Sequence, residues 1–309
     1  MKSYQELLTY VMQLGEEHAD RTGVGTRSVF GYQWRHRMSH GFPLLTTKKL
    51  PFRWVAEELF WFLSGSTNEQ DLRQRGVDIW QEWSTPEQCA RFGREAGDLG
   101  PVYGEMWRSF PVGARHPMSS RSPAERSEFD CVDQIADLLY DLKHSPNSRR
   151  MIVSGWHPYW QRKVALPPCH TLFQLKVHPK VTRRVFKQSH FDEVTGEGLS
   201  LHLYARSIDS FLGLPFNIAS YALLLSLLAE VTNRVPHDLI ISFGDLHIYT
   251  NHLEQVKEQL SREPRPLPHL VIDESLRGGG LEALSQATMA DLTLYHYNPH
   301  PAIKADVAV

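Results

Sequence analysis

Helical and strand-like periods alternate along this chain with no internal repeat and no linker rich in Pro and Gly, which predicts a single α+β domain over residues 1–309. Composition agrees: 41% of residues are hydrophobic and 22% charged, enough for a sizeable core beneath a polar surface. A length of 309 residues suits one large domain or two ordinary ones, and the missing linker decides for one.

The elements follow in order. Tyr4, Leu7, Leu8, Val11 and Leu14 fall on one face, predicting an amphipathic helix over 3–17. Asp20-Arg21-Thr22-Gly23-Val24-Gly25-Thr26 reads as a glycine-containing loop before a strand at 27–38. An aromatic-rich helical period fills 52–63 and stops at Gly65. The polar stretches 84–98 and 109–128 read as surface insertions, the second rich in Pro, Ser and Arg. A short helix is expected at 132–142, and strands at 151–156, 171–177 and 199–207. Between the last two, 178–198 carries Pro179, Gly196, Gly198 and many charges, and is expected to be a long exposed hairpin loop. Gly213 and Pro215 are expected to fix a turn before a strongly apolar helix at 218–231, with Asn217 at its opening; further strands are expected at 239–243 and 270–272.

Several classes are disfavoured. A formal charge of −2 creates no global field for nucleic acid, so any anion must be held by local arginines. Three cysteines (Cys89, Cys131, Cys169) without C-x-x-C spacing argue against a disulfide framework or a thiolate zinc site, and for a reducing compartment. Sixteen histidines include no H-E-x-x-H pair, so no metal is expected. Met1-Lys2-Ser3-Tyr4-Gln5 does not read as a signal peptide and no apolar run is expected to approach transmembrane length; the expectation is a cytoplasmic protein with no membrane partner.

The chemistry-bearing residues begin with Cys169, in Ala165-Leu166-Pro167-Pro168-Cys169-His170-Thr171. Two prolines stiffen the backbone before the thiol, as a fixed nucleophile requires, although a lone cysteine also serves as a small core residue. Arg149 and Arg150 in Ser148-Arg149-Arg150 carry forks suited to phosphate, yet adjacent residues on an extended chain point opposite ways. Both reach one anion only if the chain bends or another subunit contributes; otherwise they are a solvated pair. The run from Tyr204 to Asn217 offers Arg206 and Ser207 as phosphate donors. It also sets Asp209 and Asn217 among apolar neighbours, where each needs a partner. Asn217 suits either a helix N-cap or a pyrimidine edge, because an amide both donates and accepts. One of Glu57 and Glu58 should face inward, and a carboxylate beside aromatics has a raised pKa suited to proton transfer. Trp80 and Trp83 suit stacking on a flat heterocycle or plain core packing, and His247 with Tyr249 suits a sugar hydroxyl or the backbone.

Taken together these segments are similar to a known family. Asp20-Arg21-Thr22-Gly23, Asp98-Leu99-Gly100-Pro101-Val102-Tyr103-Gly104, Ser148-Arg149-Arg150, Pro167-Pro168-Cys169-His170, the run from Phe211 to Tyr221, Gly244-Asp245-Leu246-His247-Ile248-Tyr249 and Pro299-His300-Pro301-Ala302-Ile303-Lys304-Ala305 come in the order seen in thymidylate synthases. The chain resembles that family from its first helix to its C-terminus. The resemblance implies a large mixed sheet flanked by helices, a sheet-mediated homodimer, and conversion of dUMP to dTMP. The co-substrate, 5,10-methylenetetrahydrofolate, would supply the one-carbon unit and the hydride and leave as dihydrofolate. By the same resemblance Cys169 attacks C6 of the uracil, and Arg206 above all favours its thiolate. Arg21, Arg206 and Ser207 would bind the phosphate with Arg149 and Arg150 of the neighbouring subunit. Ile208, Asp209 and Asn217 would contact the nucleotide, Asn217 at the uracil edge, and His247 and Tyr249 the ribose. Glu58 would organise proton transfer, with Tyr103 assisting at C5. Ile79, Trp80, Trp83, Leu166, Asp209, Gly213 and Phe216 would line the folate site, closed over by Ala308.

Some positions depart from the family's pattern: Ala205 where Gln is frequent, His157 after Trp156 where Asn is usual, Pro51 in place of a frequent His, Asp306 in place of Pro, and a longer 178–198 segment. The nearest alternative is a hydroxymethylase acting on dUMP through the same covalent intermediate; a dCMP substrate fits less well, because Asn217 stands where cytosine-preferring relatives tend to have Asp. A non-catalytic RNA-binding homologue is a third reading, opposed by the absence of a basic stripe.

Overall fold

The computed structural model describes residues 1–20, 22–112 and 131–307. Arg21, Ala308 and most of the 109–128 segment therefore lie outside the described residues.

The chain opens with helix α1 (Lys2–Leu14), which buries Tyr4, Leu7, Leu8 and Val11 as the periodicity predicts. Strands β1 (Glu16–His18) and β2 (Thr26–Arg37) follow. Helix α2 (Phe52–Ser64) ends at Gly65, whose left-handed φ of 78° is the geometry glycine adopts without steric cost at a helix end. Three short helices come next: α3 (Glu69–Arg73), α4 (Pro86–Ala90) and α5 (Tyr103–Arg108). The 84–98 stretch is thus partly structured, and Cys89 in α4 is buried. Strands β3 (Phe110–Pro111) and β4 (Cys131–Val132) pair, and α6 (Gln134–His144) starts at Asp133, whose carboxylate accepts from the backbone N–H groups of Ile135 and Ala136.

The centre of the molecule is a six-stranded mixed sheet in the order β1-β2-β8-β7-β6-β5, with β5 (Ile152–Ser154), β6 (His170–Lys187), β7 (His190–Asp209) and β8 (Val235–Tyr249). Every neighbouring pair is antiparallel except β7 and β8, which α7 (Gly213–Val231) connects. Helix α8 (Leu253–Ser261), strand β9 (His269–Ile272), helix α9 (Gly280–Gln286) and strand β10 (Leu292–Tyr295) complete the described chain.

Three expectations need correction. Residues 178–198 are not a loop: β6 and β7 pair through them, from His178 opposite Gly198 out to Lys187 opposite His190. The β-branched and aromatic residues Val181, Thr182, Val185, Phe186, Phe191, Val194 and Thr195 favour strand pairing despite the intervening charges, and Pro179 is absorbed where the register shifts between His178 and Val181. Helix α7 begins at Gly213, so Asn217 lies inside it rather than at its opening. Pro215 is tolerated because N–H groups of the first turn have no intrahelical acceptor. Finally, α7 is 19 residues long with a mean hydropathy of 1.6, which does reach transmembrane length. It is apolar all round because it is a core helix packed against α2, β7 and β8, and 83% of that stretch is buried.

Candidate active site

The end of the sheet where β6 starts and β7 finishes gathers most of the expected residues. Pro167 and Pro168 deliver Cys169 to the position just before β6, where backbone bonds to Tyr103 and Arg206 fix it. Its N–H donates to the Tyr103 hydroxyl at 2.8 Å, its carbonyl accepts from the Arg206 N–H at 2.9 Å, and that guanidinium donates to the carbonyls of Pro167 and Pro168, each at 2.8 Å. Arg206 Nη2 lies 4.0 Å from Cys169 Sγ, so a permanent positive charge sits beside the half-buried sulfur. Trp156 lies under the same guanidinium, 5.5 Å from its carbon. This is how the stiffened thiol of the sequence becomes an aimed one.

Gly244 permits the approach. A Cβ there would lie 2.5 Å from the Arg206 carbonyl oxygen, closer than packed atoms come, so β8 reaches β7 at this point only with glycine.

A second cluster rests on α2. Glu58 is buried, and its Oε1 accepts from the Trp80 indole N–H at 2.7 Å. Burial pushes its carboxyl up to about 7, and the indole bond offsets part of that rise. Such a carboxyl exchanges a proton readily near neutral pH. Trp80 stands edge-on to Trp83 and Tyr103, with ring centres 5.9 and 6.1 Å away. Burial raises the Tyr103 phenol far above its ordinary value, with Cys169 adding to the rise, so Tyr103 holds its proton. Ile79 and Leu166 are half-buried against the hydrophobic core.

The parallel β7–β8 pair aligns the third cluster. Ser207 lies opposite Asp245, Ile208 opposite Leu246 and Asp209 opposite His247. Asp209 does not face the open site with free oxygens: its carboxylate accepts from the N–H groups of Phe211 and Leu212 at 2.8 and 3.2 Å, turning β7 into α7. His247 donates through Nδ1 to Asp245 at 2.7 Å and meets Tyr249 edge-on at 5.2 Å. Half-buried Asn217 projects from α7 near Gly213 and hydrogen-bonds the side chain of His170, with Phe216 half-buried beside it.

His170 and Lys48 were not singled out by sequence reasoning. His170 is buried between Tyr103 and Tyr221, with ring centres 5.1 and 5.2 Å away. Burial takes it down to about 4, partly opposed by the Asn217 bond and helped by Arg206, so it is neutral at physiological pH. Its place next to Cys169 was the available signal. Lys48 is buried, donates to the Phe211 carbonyl at 2.5 Å and lies 3.6 Å over the Phe211 ring. Burial brings it down to about 7 against the pull of Asp209. Nothing in Thr46-Thr47-Lys48-Lys49 marks it from sequence.

Two sets stay apart from these clusters. Arg149 and Arg150 are exposed on the segment before β5, and Gln174 holds the Arg149 carbonyl at 3.0 Å. The C-terminal tail is docked as far as Asp306, whose carbonyl accepts from His252 at 2.8 Å. Arg21 and Ala308 lie outside the described residues. Among the described residues no cluster of three metal-ligating side chains occurs.

A half-buried cysteine beside an arginine, a neutral histidine–asparagine pair and a glutamate of neutral pKa under tryptophan form one constellation, and the family model for thymidylate synthase matches residues 2–309. The chain belongs to the thymidylate synthase family. That family uses methylenetetrahydrofolate as co-substrate and acts on dUMP, which makes this chain an enzyme of methyltransferase type in dTMP biosynthesis. Of the departures from the family's pattern, Ala205 packs its methyl in the core, and His157 lies against Phe110 at 5.4 Å, with its Nδ1 accepting from the Tyr159 N–H.

Proposed function

We propose that this chain carries out the reductive methylation of dUMP to dTMP, with 5,10-methylenetetrahydrofolate giving both the methylene carbon and the hydride, and dihydrofolate leaving. The observation that carries the reading is the setting of Cys169, anchored through Tyr103 and Arg206 with a guanidinium beside its sulfur. In this reading the Cys169 sulfur adds to C6 of the uracil and C5 attacks the folate methylene. Loss of the C5 proton with departure of the folate amine then leaves an exocyclic methylene, hydride from the folate converts it to methyl, and the thiolate is expelled from C6. Arg206 and Ser207, with Arg21, hold the phosphate; Ile208, Asp209 and Asn217 line the nucleotide, with Asn217 at the pyrimidine edge; His247 and Tyr249 hold the ribose. Glu58 relays protons and Tyr103 assists at C5. The folate lies over Ile79, Trp80, Trp83, Leu166, Asp209, Gly213 and Phe216, with Ala308 closing the site. Reduction, not hydration, of the exocyclic methylene is favoured by Trp80: its indole is committed to Glu58 and packed edge-on to Trp83 and Tyr103, a wall that excludes water.

The enzyme acts as a homodimer in the cytoplasm, one catalytic domain per chain. Ile152, Leu172 and Tyr204 lie on one face of three neighbouring strands and are 46, 37 and 39% exposed, an apolar patch suited to a second sheet. The exposed Arg149 and Arg150 leave the same edge and are free to reach a neighbouring phosphate site.

Incubation with 5-fluoro-dUMP and methylenetetrahydrofolate, followed by mass analysis, tests the chemistry. A covalent ternary adduct on the Cys169 peptide is expected, and its absence overturns the covalent reading. With dUMP itself, 5-hydroxymethyl-dUMP as the main product would replace methylation by hydroxymethylation.

A further inference from the structure

The C-terminal segment is tied down unevenly. Up to Pro301 it is held at several points to residues 45–50 and to the chain beyond α8. The Tyr297 hydroxyl donates to the Leu45 carbonyl and accepts from the Leu50 N–H, each at 2.9 Å. The His300 N–H donates to the Thr46 carbonyl at 2.8 Å, and Arg262 bridges the carbonyls of Thr47 and Pro301. Beyond Pro301, Ile303 and Ala305 are half-buried against the core while residues 302, 304, 306 and 307 are exposed, the alternation of an extended strip with one inward edge. Among the described residues, the one hydrogen bond that holds this last strip runs from His252 Nε2 to the Asp306 carbonyl at 2.8 Å.

His252 is set for a single fixed contact. It is fully buried, directly before α8. Its ring packs on Phe211 at 5.5 Å and edge-on against Tyr249 at 5.8 Å. Nδ1 is sealed from solvent without a hydrogen-bond partner, so Nε2 makes the ring's polar tie. A carbonyl only accepts, so Nε2 carries the proton. Both ring neighbours belong to the wall of the proposed site: Asp209 holds the Phe211 N–H, and Tyr249 stands beside His247. The tie uses the main chain of an exposed residue, so Asp306 in place of the family's usual Pro leaves it intact. Two extended residues span at most about 7 Å, so fixing Asp306 confines Ala308 to that radius.

We infer that His252 is a positioning residue for folate binding: its Nε2–H hooks the Asp306 carbonyl and holds the C-terminal strip where Ala308 can cover the folate. This role rests on the proposed reaction. His252 acts through the main chain of the tail, not on the reacting atoms.

Two variants separate the hook from the ring. His252→Phe keeps the packing on Phe211 and Tyr249 and deletes the donor, whereas His252→Gln returns an amide N–H close to the Nε2 position. In the ligand-free enzyme, trypsin cleavage at the exposed Lys304, followed by mass analysis, should be at least fivefold faster in His252→Phe and close to wild type in His252→Gln. In turnover, His252→Phe should raise the KM for methylenetetrahydrofolate about tenfold, equivalent to about 1.4 kcal/mol. Affinity for dUMP should stay within twofold, and His252→Gln should bring the folate KM back to within threefold of wild type. Unchanged cleavage at Lys304, an unchanged folate KM, or a loss of both affinities that His252→Gln does not rescue overturns the hook. The 5-fluoro-dUMP adduct keeps the two readings apart. A wild type that forms no adduct removes the proposed reaction and this role with it; a wild type that forms it, beside a His252→Phe variant of wild-type folate KM, refutes His252 alone.

Discussion

Replacing Glu58 with glutamine should change how the enzyme's stability depends on pH. The buried carboxyl moves from 4.5 in the unfolded chain to about 7 in the folded one, so between those values the native state binds a proton that the unfolded state has released. Stability therefore falls as pH rises through that window. The shift corresponds to about 3 kcal/mol at 1.36 kcal/mol per unit, present as a penalty above pH 7 and absent below pH 4.5. Glu58→Gln keeps an oxygen to accept from Trp80 Nε1 and removes the titration. Urea unfolding of wild type and variant at one fixed protein concentration, at pH 5 and pH 8.5, measures the difference. The variant should gain about 2–3 kcal/mol on wild type between the two pH values. Trp80→Phe serves as the partner experiment: it deletes the donor that stabilises the ionised form, so the Glu58 titration should move up by about one unit. A stability difference that is flat with pH, or a downward move in Trp80→Phe, would refute the assignment of a buried, indole-bonded carboxyl.

Gly244→Ala drives a Cβ against the Arg206 carbonyl at 2.5 Å; a loss of about 1–3 kcal/mol in urea unfolding and at least a tenfold drop in turnover are expected. Tyr103→Phe leaves the Cys169 N–H without its acceptor, and should cost about 1–3 kcal/mol by the same measurement together with slower adduct formation. Lys48→Met tests the opposite linkage sign: the folded lysine is lowered from 10.5 to about 7, so the unfolded chain binds the extra proton. Wild-type stability should therefore climb relative to Lys48→Met between pH 7 and pH 10, and a parallel pair of curves would rule out a lysine whose proton affinity is lowered by burial.

Local signals carried the sequence reading a long way. Cys169 was found because two prolines precede it, and α1, α2 and α6 because their apolar residues keep a helical period. What failed was non-local. The 178–198 segment reads as loop because Pro179 and its charges are local disfavouring signals, whereas its strands are made by pairing with each other. Asn217 looked like a cap because Gly213 and Pro215 resemble a turn, but a first helical turn accepts both. The sequence pointed to an interaction at Asp209 and left its form open, since only the fold shows that its oxygens are taken by Phe211 and Leu212.

The placing of β2 beside β8 bears on how the protein is made. Residues 26–37 leave the ribosome early, yet the strand they pair with begins at Val235, about 200 residues later. At roughly 5–20 residues per second the wait is on the order of 10–40 s, during which β2 has an unpaired edge and α7, once made, has an apolar surface not yet covered. The same delay holds for His247 and Tyr249 in β8, so a chain halted before the end of that strand lacks part of the proposed nucleotide pocket. Release of nascent chains should therefore yield trapped, chaperone-bound species up to about residue 250, and protease-resistant ones only beyond it.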